Sequence, residues 1–294
     1  MSFSYDLKTE LCDIKSAACC KAAECYGMML FGHFFNTDKI SVLSDNPSVQ
    51  KNFAYLCKKC FSTECALSSS SGKKPMYKAE ITEKNTISQI LKNSDNAVLS
   101  RLLQNDCCRD AFIRGAFLSC GHIMNPEKEY RAEFRIKNTK FSELLFELLD
   151  FRDITPSKTV RGGSQILYFK KSDRIEDLIT VMGAGNITLH LMDIKIIKGV
   201  RGNINRKNNI DEANTSKMIE ASINQRATIK HLIDNDKFDI LGDELKEIAL
   251  LRMANPDASL NELSRLCSVS ISKSGINHRL KKITDIAESF KNRK

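Results

Sequence analysis

Residues 107–123 read CCRDAFIRGAFLSCGHI, and residues 19–34 read CCKAAECYGMMLFGHF. At one constant offset Cys19, Cys20, Ala23, Gly27 and Leu30 return as Cys107, Cys108, Ala111, Gly115 and Leu118. The last four residues of each set step by three, four and three, which is the spacing of a single helical face. Ala and Gly four residues apart leave that face without side-chain bulk, so another helix can approach it closely. The simplest partner is the other copy, packed about a pseudo-two-fold axis.

The segments C-terminal to the two copies also match in kind. After the first come a strand (KISVLS, 39–44), a helix (VQKNFAYLCKKCF, 49–61) and strand-like stretches near 63–69 and 76–82. After the second come YRAEFRIK (130–137), the helix KFSELLFELLDF (140–151), ITPSKTV (154–160), SQILYFK (164–170) and a helix from Asp173. Gly162-Gly163 supplies a hairpin turn between the last two strands. Helix, strand, helix and two strands, written twice, make an α+β half-domain duplicated in tandem.

The segments IRGAFLSCG (113–121) and, more weakly, CYGMMLFGH (25–33) resemble the LAGLIDADG helix of homing endonucleases. Over a longer stretch, CCRDAFIRGAFLSCGHIMNPEKEYRAEF (107–134) resembles the WhiA family, as do INRKNNIDEANTSK (204–217) and ISKSGINHRLKKI (271–283). That family fuses a degenerate double LAGLIDADG unit to a helix-turn-helix, and the blocks occur here in its order along essentially the whole chain. The expected organisation is a first LAGLIDADG-like half at 1–88, a second at 89–198, a basic linker at 199–218 and an all-α helix-turn-helix domain at 219–294. The resemblance implies a DNA-binding transcription regulator acting in cell division, chromosome segregation or sporulation. It implies double-stranded DNA at promoter regions as partner, with a sigma factor or other transcription or division proteins beside it.

LAGLIDADG nucleases end each paired helix in a carboxylate, because hard divalent metal beside a phosphate needs oxygen ligands. Laid on this sequence, the motif puts Gly32 and Cys120 at those positions, and neither offers a side-chain oxygen. Glu24 and Asp110 lie about two to three turns earlier. The expectation is therefore a scaffold without catalytic residues, metal or cofactor. A LAGLIDADG nuclease with unusual ligands is the enzyme alternative, and a nucleoid-associated scaffold acting through protein partners is the other. His33 and His122 come just after the lost positions and read as helix-end imidazoles, beside carbonyls that favour the positive form. Neither a GxxxxGK[ST] nor a GxGxxG phosphate loop is present.

Eleven cysteines, an odd number without an export signal, read as reduced thiols. Cys57, Cys60 and Cys65 in CKKCFSTEC begin as C-x2-C, but no second spaced pair succeeds them, so they read as small apolar fillers. The start, MSFSYDLKTELCDIK, carries acids where a signal peptide would be apolar, and no apolar run approaches a membrane span of about 20 residues. The expected place is the cytoplasm, at the nucleoid, away from membrane.

The net charge of +9 is concentrated toward the C-terminus. Windows 195–230 and 259–294 each hold eight Lys/Arg against three acids, whereas residues 1–194 hold 26 against 23. That distribution suits a polyanion-binding surface. From Asp239 three helices are expected: DELKEIALLRMA, ending before Asn255-Pro256; SLNELSRLC, opened by a Ser259/Glu262 capping box; and a basic helix capped by Ser272. In the last, Ile276, Leu280 and Ile283 face a core with Leu260, Leu263 and Leu266. Ser274, Asn277, His278 and Lys281 fall opposite, with Lys282 beside them. Ser272, Lys273, Ser274, Asn277, His278, Arg279, Lys281 and Lys282 are the candidate DNA contacts, since Asn and His reach base edges and Lys pairs with phosphate. In the linker Arg201, Arg206, Lys207 and Lys217 are candidate phosphate contacts. Its Gly and Asn content suits an extended segment, with Asn205, Asn209 and Asn214 equally able to fix turns.

Overall fold

The computed structural model describes residues 2–72, 74–94 and 96–291, except the side chains of 96, 97 and 291. The chain forms two compact units, Met1–Gly199 and Val200–Lys294. The first unit opens with α1 (Phe3–Cys12) and α2 (Ala18–Leu30), then β1 (Phe34–Phe35), β2 (Ile40–Ser44), α3 (Pro47–Phe61), β3 (Ala66–Ser69) and β4 (Tyr77–Ile81). Two connecting helices, α4 (Lys84–Lys92) and α5 (Asn96–Leu102), lead to the second copy. There α6 (Asp106–Cys120), β5 (Gly121–Ile123), β6 (Ala132–Ile136), α7 (Thr139–Phe151), β7 (Ser157–Arg161) and β8 (Ser164–Phe169) repeat the pattern, closed by α8 (Ser172–Met182).

Both sheets are antiparallel with the same order, β1-β2-β4-β3 and β5-β6-β8-β7. Strands β1 and β5, too short to carry an alternating signal in the sequence, come almost directly after the paired helices. Each half also starts its crossover helix alike: Asn46 caps α3 and Asn138 caps α7, each side chain accepting from the backbone N–H two residues on. Gly162 and Gly163 have φ of 55° and 72°, the conformation of a two-residue hairpin turn, and Arg161 pairs with Ser164 across it.

The small-residue faces of α2 and α6 meet as the repeat requires. A Cβ built on Gly27 would stand 2.3 Å from the carbonyl oxygen of Phe112, and one on Gly115 would stand 2.1 Å from that of Glu24. The contact is thus backbone against backbone, reciprocal, and closed to any residue larger than Gly at these two points. Around it Cys25, Met28, Met29, Phe112, Phe117 and Leu118 are fully buried, and the inner faces of both sheets complete one core through Val42, Ala79, Phe134 and Leu167.

The expected extended linker at 199–218 is instead helical, inside α9 (Gly185–Asp234). These 50 residues contain no proline, and an isolated glycine costs a helix only about 1 kcal/mol, so Gly199 and Gly202 do not stop it. The expected division of the halves at 88/89 falls inside α4.

In the second unit the end of α9 adds Ile229 and Leu232 to a core shared by α10 (Asp243–Ala254), α11 (Leu260–Leu266) and α12 (Lys273–Lys291). The capping box at Ser259 is formed in both directions, and Ser272 accepts from the Gly275 N–H at 3.2 Å to start α12. Leu263, Ile276, Leu280 and Ile283 are buried, with Leu260 packed at their edge. Leu266, expected beside them, is 51% exposed, because it ends a helix of less than two full turns and points off the core. Arg252 is buried here, donating to the Ala258 carbonyl at 2.7 Å. Among the described residues no helix is long and apolar enough to cross a membrane.

Candidate functional site

The C-terminal ends of α2 and α6 converge with β6 and the start of α7 on a cleft of about 590 Å³. Gly32 and Cys120 both line it. At Gly32 a Cβ would lie 2.6 Å from the Ser41 carbonyl oxygen and 3.1 Å from those of Met28 and Met29. A carboxylate therefore cannot stand there without moving backbone. Burial pushes the Cys120 thiol up to about 12, so it is protonated at neutral pH. Among the described residues one carboxylate lines the cleft, Glu133, and it is held by Arg131 at 3.0 Å.

The nearest acids preceding these positions on α2 and α6 are engaged elsewhere. Glu24 and Arg114, both buried, form a two-pronged ion pair at 2.8 and 2.9 Å across the helix interface. Asn52 donates to the other oxygen of Glu24, and Arg114 also donates to Ser16 and the Met182 carbonyl. Asp110 lies 2.9 Å from Arg152, and burial raises its pKa. The described residues lining the cleft thus place no pair of free carboxylates at the helix ends, while Arg135 and Lys137 give its wall positive charge.

The two histidines depart from expectation. His33 and His122 are held below the ordinary imidazole value, not above it, so the neutral form is favoured. Burial is the leading cause in both; Lys137, Lys78 and Lys39 add to it at His33, and Lys8 at His122. Burial, which disfavours the charged ring, and these lysines from other elements of the fold both act against the positive form.

Ser272 at the start of α12 and Lys273, Ser274, Asn277, His278, Lys281 and Lys282 on it are all exposed; Ser274, Asn277, His278, Lys281 and Lys282 lie on the side away from Ile276 and Leu280, and Lys273 lies at the first turn nearer the core side. The Ser272 and Ser274 hydroxyls are 2.9 Å apart at the helix start. Arg279 is half-buried and held by Glu244 of α10 at 2.8 Å. Arg201, Arg206, Lys207 and Lys217 are exposed on α9; at 100° per residue Arg206, Lys207 and Lys217 share one side of the helix and Arg201 falls on the other.

Comparison with known proteins places this geometry in a family. A family model described as the WhiA LAGLIDADG-like domain matches residues 109–201, and one described as the WhiA C-terminal HTH domain matches residues 204–287. A curated protein of Ruminiclostridium cellulolyticum named probable cell division protein WhiA is 33% identical over 308 residues, spanning 99% of this chain and 98% of its own length. The chain belongs to the WhiA family. A WhiA relative from Clostridium acetobutylicum is likewise 33% identical over 313 residues, covering 99% of both chains. The crystal structure of full-length DUF199/WhiA from Thermatoga maritima matches with a TM-score of 0.60 at 23% identity, over 98% of this chain and 99% of that one. The isolated N-terminal LAGLIDADG domain of DUF199/WhiA matches with a TM-score of 0.52 at 18% identity, over 62% and 92%. The WhiA architecture, a LAGLIDADG-like unit followed by a helix-turn-helix, is therefore the architecture of this chain.

Two features of this WhiA chain escape a reading of the sequence. Arg114 is the partner of Glu24, and its signal is a cation inside an apolar helix, where charge is rarely left unpaired. The other is that Cys19, Cys20, Cys107 and Cys108 come together. Their signal is the repeat itself, since residues matched in two helices that pair about a pseudo-dyad must lie near each other.

Proposed function

We propose that this chain is a DNA-binding transcription regulator of WhiA type, in which α12 enters the major groove and the LAGLIDADG-like unit serves as a non-catalytic scaffold. The observation that carries the reading is the division of α12 into two faces. One is buried in its own core through Ile276, Leu280 and Ile283; the other presents Asn277, His278, Lys281 and Lys282 to solvent, with the exposed Asp285 one turn further along the same face. Asn277 and His278 would meet base edges, and Lys273, Lys281 and Lys282 would pair with phosphates. Ser272 and the amides of the first turn suit a phosphate at the helix start. Arg279, tied to Glu244, would fix α12 against α10 and reach the backbone only with its remaining nitrogens. Arg201, Arg206, Lys207 and Lys217 would add sequence-independent attraction.

The scaffold reading rests on the backbone crowding at Gly32, the protonated Cys120 and the pairing of Glu24 with Arg114. The names of the relatives favour a role in cell division. A sigma factor or other transcription or division protein as partner beside DNA, and a place in the cytoplasm at the nucleoid, belong to the same proposal. Genome-wide occupancy of the intact protein tests the proposal against a nucleoid scaffold. Discrete peaks at promoters, lost when Lys273, Lys281 and Lys282 are replaced by Ala, are expected. Diffuse coverage that survives the substitutions would refute it.

A further inference from the structure

The first turns of α2 and α6 carry the doubled cysteines of the repeat. The pairing of the helices brings all four Sγ atoms of Cys19, Cys20, Cys107 and Cys108 within 4.8 Å of one another. Cys20 and Cys108 are buried; Cys19 and Cys107 are exposed. A tetrahedral Zn²⁺ site with Zn–S bonds of about 2.3 Å places neighbouring sulfurs about 3.8 Å apart. The Cys19 and Cys20 sulfurs are 3.9 Å apart. We propose that these four cysteines form a tetrathiolate site that takes one Zn²⁺ and staples the two halves of the LAGLIDADG-like unit together at the start of its paired helices.

The ligand set selects the metal class. Four sulfurs and no oxygen suit a soft or borderline ion such as Zn²⁺, and exclude Mg²⁺ and Ca²⁺ as occupants of this site. Sulfurs packed this closely leave room for a single ion; an iron–sulfur cluster would interpose inorganic sulfides and hold the thiolates farther apart. On binding, the four thiols release their protons to solvent as four Zn–S bonds form, so affinity rises with pH. The resulting −2 charge sits at two helix N-termini, whose partial positive charges favour it.

The site lies at the opposite end of the paired helices from Gly32 and Cys120, so it belongs to the architecture and not to the vanished nuclease centre. It is also separate from Cys57, Cys60 and Cys65: Cys57 and Cys60 approach Cys25 and Cys65 approaches Cys57, without all four sulfurs closing to the same distance among the described residues.

The test uses the full-length chain, purified under reducing, chelator-free conditions and assayed for zinc by mass spectrometry. About one Zn²⁺ per chain is expected, falling at least tenfold in Cys19→Ser/Cys107→Ser and unchanged in Cys57→Ser/Cys60→Ser. Both replaced residues of the first variant are exposed, so their loss disturbs no packing. X-ray absorption of the zinc-loaded wild type gives an answer independent of any variant, with four sulfur neighbours expected. Co²⁺ substituted for zinc should show intense tetrahedral visible bands and sulfur-to-metal charge transfer. Four outcomes would overturn the proposal: a chain that stays metal-free after loading, a first shell containing nitrogen or oxygen, zinc lost only from the Cys57/Cys60 variant, or four thiols recovered as two disulfides.

Discussion

Replacing Gly115 by Ala perturbs the helix pair at its closest point. The added methyl carbon would stand 2.1 Å from the Glu24 carbonyl oxygen and 3.0 Å from the Met28 nitrogen, all of it backbone. Relaxed carbon–oxygen contacts lie near 3.3 Å, so the helices must part by about 1.2 Å. A gap of that order forfeits a quarter to a half of each dispersion contact along the seam. Overpacking against a target that cannot rotate away belongs at the upper end of its range, about 3 kcal/mol. Ala returns about 1 kcal/mol of helix propensity, leaving a net loss of about 2 kcal/mol. Hydrogen exchange of residues 18–30 and 106–120 measures this directly and should accelerate about 30-fold. Gly199→Ala is the control: nothing lies within 4 Å of its Cβ, so it should leave exchange unchanged or slow it by the propensity gain. A Gly115→Ala chain as well protected as wild type would refute the close-packed pair.

Glu24→Ala strands the buried Arg114 guanidinium and should cost about 3–5 kcal/mol in urea unfolding, while Glu24→Leu/Arg114→Leu together should recover most of that loss. His33 and His122 have folded pKa values below the ordinary 6.5, so the unfolded chain takes up protons first as the pH falls. Their contribution is nil well above pH 6.5 and turns destabilising as pH falls through 6.5 toward the folded values. Thermal melts from about pH 7.5 to about 5.5 should show a decline that shrinks in His33→Gln/His122→Gln, and Lys137→Ala should raise the His33 pKa in an NMR titration. Lys281→Ala should weaken binding to all duplexes and lower the salt slope by about one, whereas Asn277→Ala should cost about 1–3 kcal/mol on the preferred sequence and relax its preference. Unchanged binding in both variants would take α12 out of the groove.

The paired helices were legible because a repeated Ala/Gly step specifies its own partner: the face of Gly27 fits only another face like it. The sheets could be read from alternation and from Gly162-Gly163. The linker misled because Gly and Asn are local signals for turns, whereas a helix without proline continues through them when its neighbours on both sides are helical. The direction of the histidine shifts could not be read, since the burial of His33 and His122 and the approach of Lys8, Lys39, Lys78 and Lys137 arise only on folding. The four-cysteine cluster is half-legible in the same way. Each CC pair alone is half a site, and the halves join only once α2 is laid against α6.

On the proposed function, a LAGLIDADG-like skeleton works without metal-holding oxygens while the helix-turn-helix makes the contact with DNA. The most direct measurement incubates full-length protein with supercoiled plasmid carrying a promoter that it occupies, with Mg²⁺ or Mn²⁺ present, and monitors binding and strand integrity in the same sample. The expected result is a stable complex on fully supercoiled plasmid. Site-specific nicking that EDTA abolishes would contradict it.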